Sequence, residues 1–165
     1  MDGDGPVLLL DVDGVLNLGM FTTSRQRNAL AYKHGWYSGR AGGDHYGERI
    51  VMNRSWGRLL RRLADAGAEL AWATAWEEAA NLFIGPLLGL PELRVAPAVH
   101  RDKASTVIPW TQGRPWAWLE DYEDELEEAV ALTAPGVPCC PVLVERETGL
   151  TEEHVTRVAA WLEGL

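Results

Sequence analysis

The chain has 165 residues, of which 47% are hydrophobic and 24% charged, a balance typical of a globular protein with a buried core. Its formal net charge of −9 argues against a simple nucleic-acid-binding module, which usually carries a basic surface. The apolar runs are too short for a membrane span, so we expect no membrane partner and one domain over residues 1–165.

The first part of the chain predicts a strand, a flap and a helix. Val7–Leu10 is short, apolar and partly β-branched, which indicates a buried strand. Residues 17–53 lack a helical period and are rich in glycine, so we expect a small β-hairpin flap with strand pieces at 29–37 and 48–52. The apolar spacing of residues 56–66 then predicts a helix.

The rest of the chain alternates short apolar strands with helices. The strands are predicted at residues 69–73, 93–96, 116–119 and 141–144. The helices are predicted at residues 77–84 (broken at Gly85 and Pro86), 103–113, 122–132 and 151–162. This alternation is typical of βαβ units, and it predicts an α/β fold with a parallel sheet covered by helices on both faces.

Four carboxylates, a hydroxyl and an ammonium group occur where the predicted strands end or a helix begins. They belong to Asp11, Asp13, Thr74, Lys103, Glu120 and Asp121. In parallel sheets ligands bind beyond the carboxyl ends of the strands, so we expect these groups to converge. Unit charges about 4 Å apart repel by roughly 4 kcal/mol at an effective dielectric of about 20, so clustered carboxylates require a cation. Mg²⁺ prefers such oxygen ligands.

The same residue types support phosphoryl transfer. One carboxylate attacks phosphorus to form an aspartyl phosphate, while a second carboxyl protonates the leaving oxygen and later activates water. Asp11 and Asp13, two positions apart at a strand end, are suited to divide these roles. Thr74 and Lys103 are suited to orient the phosphate oxygens. Each feature alone has a plainer explanation, such as a turn or a surface lysine, but their order favours a phosphohydrolase site.

These segments resemble the four motifs of the haloacid dehalogenase (HAD) superfamily of hydrolases. The matching segments are residues 8–16 (LLLDVDGVL), residues 70–74 (LAWAT), Lys103 and residues 118–121 (WLED). The resemblance implies a Rossmann-like sheet in the order 3-2-1-4-5, with Asp11 as nucleophile and Asp13 as general acid/base. It also implies Mg²⁺ held by the Asp11 carboxylate, the Asp13 backbone carbonyl and an acid of the fourth motif. Relatives often have two aspartates there, so both Glu120 and Asp121 are candidate ligands.

A narrower resemblance is to the small HAD domains associated with Swiss Army knife RNA-repair proteins. It is carried by residues 72–76, 80–81, 88–91, 114–118 and 149–151, with His154. This resemblance implies a nucleic-acid end as substrate. The stretch between the first and second motifs is also too short for a large cap domain, and cap-less relatives have open sites that suit bulky substrates.

Three functions stay open at this point. The first is a phosphatase of nucleotides or nucleic-acid ends, which the missing cap favours. The second is a phosphatase of small metabolites, which the negative net charge favours. The third is a non-catalytic domain that binds Mg²⁺ or phosphate, which Asp13 argues against because a binder needs no second carboxyl for proton transfer.

The flap offers further candidates for substrate contact. Trp36 and Tyr37 are able to stack a base, although packing of the hairpin on the sheet is the more common use of such residues. His34, His45 and His100 are candidate phosphate contacts, and none of them is favoured. The sequence carries no signal for an oligomeric state.

The cysteines and the acidic N-terminus favour the cytoplasm. Cys139 and Cys140 are the only cysteines, so no disulfide framework is expected, and we predict that they fill a buried strand. Residues 1–5 lack the basic region of a secretory signal peptide.

Overall fold

Seven strands are present in the computed structural model, which describes residues 3–42 and 47–165. In chain order they are β1 (Val7–Leu10), β2 (Trp36–Arg40), β3 (Arg49–Asn53), β4 (Glu69–Trp72), β5 (Arg94–Val95), β6 (Trp116–Glu120) and β7 (Cys139–Leu143). Strands β2 and β3 form an antiparallel hairpin, and the other five form a parallel sheet in the order β5-β4-β1-β6-β7. Counted along the chain without the hairpin, this is the predicted order 3-2-1-4-5, which is confirmed.

Helices cover both faces of the sheet, as predicted. They are α1 (Ser24–Leu30), α2 (Trp56–Asp65), α3 (Gly85–Leu88), α4 (Ala104–Trp110), α5 (Glu123–Leu132) and α6 (Glu152–Glu163). Successive side chains of a strand point to opposite faces. Leu8 and Leu10 therefore pack into the core beneath α2, α6 and the hairpin, whereas Val7 and Leu9 pack beneath α4 and α5.

The hairpin flap is confirmed, but the strand piece predicted at residues 29–37 is wrong. Helix α1 extends to Leu30, and β2 begins only at Trp36. Thr23 and Gln26 start this helix with a capping box, in which each side chain accepts a hydrogen bond from the other residue's backbone N–H. Because no residue of α1 is buried, the sequence shows no apolar period there that would indicate a helix.

The predicted helix break at Gly85 and Pro86 is also wrong. A π-helical segment, Ala80–Ile84, runs directly into α3. Pro86 lies in the first turn of α3, next to the junction with the π-helical segment. The helix ends instead at Gly89, whose φ of +64° gives the left-handed conformation typical of a helix stop.

The cysteines lie on β7, where Cys140 is buried and Cys139 half-buried, and both are free thiols. They fill strand positions, as expected. None of the helices in the described part of the chain is long and apolar enough to cross a membrane.

Candidate active site

The carboxyl ends of three adjacent strands bring the predicted residues together. Strand β1 lies between β4 and β6, and Leu10 is in register with Trp72 on one side and Leu119 on the other. The next position on β1 is Asp11, whose N–H donates to the Leu119 carbonyl at 3.1 Å. Glu120 ends β6 at the same level. The parallel register thus places the acidic groups of separate motifs at one edge of the sheet.

A small cleft opens at this edge and contains all but one of the predicted residues. Its lining includes Asp11, Asp13, Thr74, Lys103 and Asp121. The exception is Glu120, which is fully buried and lies behind the ammonium group of Lys103.

Lys103 joins two of the carboxylates. Its Nζ lies 3.0 Å from Asp11 Oδ1 and 2.7 Å from Glu120 Oε2, and all three side chains are buried. The carboxylate of Glu125 accepts hydrogen bonds from the backbone N–H groups of Lys103 and Ala104, at 3.0 and 2.8 Å. Glu125 therefore caps the start of α4 from the neighbouring helix and fixes Lys103. No local pattern in the sequence indicates this role of Glu125.

Burial and charge shift the ionisation of this group. Burial alone lowers the pKa of Lys103, but attraction to Asp11 and Glu120 outweighs it and raises that pKa above its ordinary value. Burial raises the pKa of Asp11 to about 6, with Asp121 adding to the rise and Lys103 opposing it. Burial, followed by the charge of Asp11, also raises the pKa of Glu120 well above its usual range. The carboxylates thus exceed what one ammonium group neutralises.

Glu120 and Asp121 differ in how their oxygens are used. Glu120 Oε1 accepts the backbone N–H groups of Asp121 and Tyr122, at 3.0 and 3.2 Å, and Oε2 accepts from Lys103. Both oxygens of Asp121 are buried, and neither has a hydrogen-bond partner among the described residues. The guanidinium of Arg146 lies 3.3 Å from Asp121 Oδ2, as an ion pair without hydrogen-bonding geometry. Asp121 therefore holds free lone pairs inside the site, and Glu120 does not.

The donor set fits a hard divalent cation. Asp11, Glu120 and Asp121 each offer one carboxylate oxygen, and these oxygens all lie within 4.8 Å of one another. Three carboxylates, set against the Lys103 ammonium and the Arg146 guanidinium beside Asp121, leave a formal excess of one negative charge. Buried acceptors without partners are costly, and a small oxygen-liganded ion such as Mg²⁺ satisfies both the lone pairs and the charge.

Gly14 packs directly against the Asp121 carboxylate. Its φ is +82°, which favours glycine, and a Cβ at this position would overlap Oδ2 and Cγ of Asp121. The chain therefore turns sharply after Asp13, which brings the backbone of the first motif against the acid of the fourth.

Two side chains outside the predicted set hold Asp13. The Trp76 indole Nε1–H donates to Asp13 Oδ2 at 2.9 Å, and the Asn17 amide donates to Oδ1 at 3.0 Å. Burial raises the pKa of Asp13, the two hydrogen bonds oppose the rise, and the charge of Glu48 adds to it. Asn17 is itself buried, and its Oδ1 accepts the backbone N–H of Val51 in the hairpin at 2.9 Å. The flap thereby supports Asp13 through Asn17.

The cleft side of Thr74 is left for a ligand. Thr74 is buried, and its Oγ1 accepts the backbone N–H of Trp76 at 3.2 Å, so its hydroxyl proton is available to donate.

Glu77 and Arg101, close in sequence to Thr74 and Lys103, have positive φ values of 49° and 63°. Such backbone strain in non-glycine residues concentrates at functional sites.

The histidines differ in position. His100 lines the cleft, whereas His34 is exposed on the turn before β2, and His45 lies outside the described residues. His154 takes part in the capping box of α6, where its Nδ1 accepts the backbone N–H of Thr151 at 3.1 Å.

The flap aromatics pack on the protein. Trp36 meets Trp56 edge-to-face, with ring centroids 5.6 Å apart, and the Arg54 guanidinium lies 5.2 Å from the centre of the Tyr37 ring. Both aromatic side chains are half-buried against the core. These contacts favour the packing interpretation over base stacking.

No protein-family model matches the chain, and no curated protein sequence matches it significantly. Among solved structures, the HAD domain of the effector protein Lem4 from Legionella pneumophila superposes with a TM-score of 0.63 at 10% identity, over 98% of each chain. A hypothetical protein from Xanthomonas campestris superposes with a TM-score of 0.53 at 21% identity, over 98% of this chain and 84% of its own. At these identities the likeness concerns the fold. The chain therefore has the HAD-like fold that its sequence motifs predict.

Proposed function

We propose that the chain is a Mg²⁺-dependent phosphohydrolase that cleaves phosphomonoesters through an aspartyl-phosphate intermediate on Asp11. The observation that carries this proposal is a buried Asp121 carboxylate that has no hydrogen-bond partner among the described residues and lies with Asp11 and Lys103 at one strand edge. A fold of this type hosts many functions, so the proposal rests on these side chains rather than on the fold.

The metal would be held by the carboxylates of Asp11 and Asp121 and by the backbone carbonyl of Asp13. When bound, Mg²⁺ supplies charge neutralisation for the phosphate and for the carboxylates around it. Glu120 is assigned a different task, because its oxygens are already engaged by Lys103 and by two backbone N–H groups. It positions Lys103.

In the first step, an Asp11 oxygen attacks phosphorus and the bond from phosphorus to the leaving oxygen breaks. Lys103 and the Thr74 hydroxyl hold the non-bridging phosphate oxygens as their charge shifts. Asp13 gives its proton to the leaving oxygen, a role that suits a carboxyl whose pKa is raised by burial.

In the second step, Asp13 takes a proton from a water molecule that attacks phosphorus of the aspartyl phosphate. Inorganic phosphate leaves, and the Asp11 carboxylate is restored. The position of Asp13 in the cleft, held by two side-chain donors, favours this catalytic function over a domain that only binds Mg²⁺ or phosphate. A cytoplasmic location belongs to the same proposal, since Cys139 and Cys140 are free thiols.

The proposal is tested with an aryl phosphate, with Mg²⁺ present and after its removal with a chelator. Asp11→Asn is expected to abolish turnover, and the chelator is expected to do the same in the wild-type protein. Asp65→Asn, at an exposed position on α2, is the matched control and should keep full activity. Turnover that survives Asp11→Asn would refute the assignment of the nucleophile.

The intermediate is tested separately in Asp13→Asn, in which activation of water is impaired. After incubation with a phosphate-labelled substrate, this variant is expected to retain label in a bond that is stable to acid and released by hydroxylamine. The double variant with Asp11→Asn should retain none.

A further inference from the structure

A second, larger cavity of about 530 Å³ lies beside the small cleft that contains Asp11 and Lys103. We call the small cleft the phosphate cleft, because the proposed reaction places the phosphate there. Its apolar lining residues are Met20, Ala41, Ala75, Trp76, Ala79 and Phe83. The remaining lining residues are the carboxylates Asp13 and Glu48. A cavity of this size falls in the range of roughly 300–1,000 Å³ that is usual for small-molecule sites.

The cavity and the phosphate cleft share a wall. Asp13, Met20 and Ala75 line both, whereas Lys103 and Asp11 line only the cleft. In the proposed reaction the leaving oxygen receives its proton from Asp13, so that oxygen lies at the shared wall. The group attached to it must then extend away from Asp11 and Lys103, into the larger cavity.

The walls of the cavity select for an apolar group. The indole N–H of Trp76 is already used by Asp13, which leaves the ring as an apolar surface. Met20 is 67% exposed and lines the cavity, so a ligand bound there would cover part of its apolar surface. Removing such apolar surface from water is favourable, so a hydrocarbon or aromatic group gains more here than a polar one.

The charges in the cavity select against further phosphates. Among the described lining residues there is no lysine or arginine, whereas Glu48 and Asp13 are both acidic. Arg40 and Arg49, which pair across the hairpin, do not line the cavity. A nucleic-acid strand would bring its next phosphate toward the Glu48 carboxylate, with no cation among the described lining residues to receive it.

We propose that this cavity binds the leaving group, and that the preferred substrate is a phosphomonoester of a small apolar or aromatic alcohol that carries no second phosphate. This inference rests on the proposed phosphohydrolase and names its substrate class. It selects the small-molecule alternative over nucleic-acid ends.

The test compares alkyl phosphates whose leaving alcohols have similar basicity. Phenethyl phosphate should be hydrolysed with a kcat/KM at least tenfold above those of ethyl phosphate and of a 5′-phosphorylated oligonucleotide. Ala79→Trp, which fills the cavity, should reduce the preference for phenethyl over ethyl phosphate at least tenfold. Met20→Ser, at a largely exposed position that tolerates substitution, should reduce the same preference in the same direction.

A charge reversal at Glu48 tests the selection against substrates that carry a second phosphate. Glu48→Lys should raise kcat/KM for a nucleoside 3′,5′-bisphosphate relative to phenethyl phosphate at least tenfold. Glu163→Lys, at an exposed position at the end of α6, is the matched control and should leave this ratio unchanged.

Two results would overturn the inference: a kcat/KM for the oligonucleotide above that for phenethyl phosphate, or a phenethyl preference that both Ala79→Trp and Met20→Ser leave intact. Failure of the proposed function is distinguishable, because then no phosphomonoester is hydrolysed at all. In that case, calorimetric measurement of phosphate-ester binding tests whether the cavity holds the apolar group. Tighter binding of phenethyl phosphate than of ethyl phosphate, lost in Ala79→Trp, would support the cavity assignment, and equal binding would refute it.

Discussion

The indole N–H of Trp76 donates a hydrogen bond of 2.9 Å to Oδ2 of Asp13, from a residue 63 positions further along the chain. This bond connects the loop after β4 to the carboxyl that handles protons in the proposed reaction. It fixes the orientation of the Asp13 carboxyl in the cleft.

Replacing Trp76 with phenylalanine keeps an aromatic ring in the wall and removes only the donor. We expect kcat for an alkyl phosphate to fall roughly tenfold, part of the roughly hundredfold or more that general acid catalysis contributes. An aryl phosphate should be affected less, because its leaving group needs less protonation. Trp161→Phe, on α6, is the control. Equal losses on both substrates would show that Trp76 does not act through Asp13.

The two acids of the fourth motif are expected to have different roles, with Asp121 binding the metal and Glu120 positioning Lys103. Asp121→Asn should raise the Mg²⁺ concentration needed for half-maximal activity at least roughly tenfold, since even partners behind metal ligands cost that much. Glu120→Gln should change this concentration less and lower stability to urea by about 1–3 kcal/mol, because it leaves buried N–H groups of Lys103 poorly paired. A larger shift in Mg²⁺ requirement for Glu120→Gln would reverse the assignment.

A substitution at Gly14 separates two costs of adding a Cβ there: steric overlap with Asp121 and strain from the positive φ. Gly14→Ala should lower stability by more than the roughly 1–2 kcal/mol that a left-handed residue costs, since its Cβ overlaps the Asp121 carboxylate. It should also weaken the stabilisation of the fold by Mg²⁺. Gly136 has a similar φ of +84°, and a Cβ added there would meet no described atom within 4 Å, so Gly136→Ala measures the strain alone. Equal losses in urea melts of the two variants would exclude the contact.

His154 predicts a dependence of stability on pH that does not involve the active site. Burial lowers the pKa of His154 below its ordinary value, with Glu153 and Glu145 opposing, and its Nδ1 accepts a cap hydrogen bond only when unprotonated. The unfolded chain therefore binds this proton more readily than the folded one. The contribution of unprotonated His154 to the free energy of unfolding is therefore present above about pH 6.5 and is lost as the pH falls below that value.

His154→Gln is the matched variant, because glutamine serves the same position of a capping box without titrating. The difference in unfolding free energy between wild type and variant should shift in favour of the variant between pH 7 and pH 5. A constant difference over this range would show that His154 does not titrate on unfolding.

Much of the sheet follows from local patterns. Val7–Leu10 is an apolar run, Trp116–Glu120 is apolar up to its last residue, and both are buried on the two faces of the sheet. Such runs indicate central parallel strands without further information. Asp11, Thr74 and Glu120 stand at the strand ends, so their convergence follows once the strands are parallel. Helix α1 shows the opposite case, since an exposed helix leaves no apolar period in the sequence.

The parallel α/β class and the identity of the groups at the sheet edge could be read from the chain alone, because the alternation of elements and the spacing of acids are local properties. The strand order was implied by the resemblance to the HAD motifs. Three features could not be read from the chain. They are the assignment of Asp121 rather than Glu120 as the free acid, the support of Asp13 by Trp76, and the capping of α4 by Glu125. All three depend on contacts between distant segments. Such contacts are set by how loops and helices pack in the folded protein, and no period in the chain encodes them.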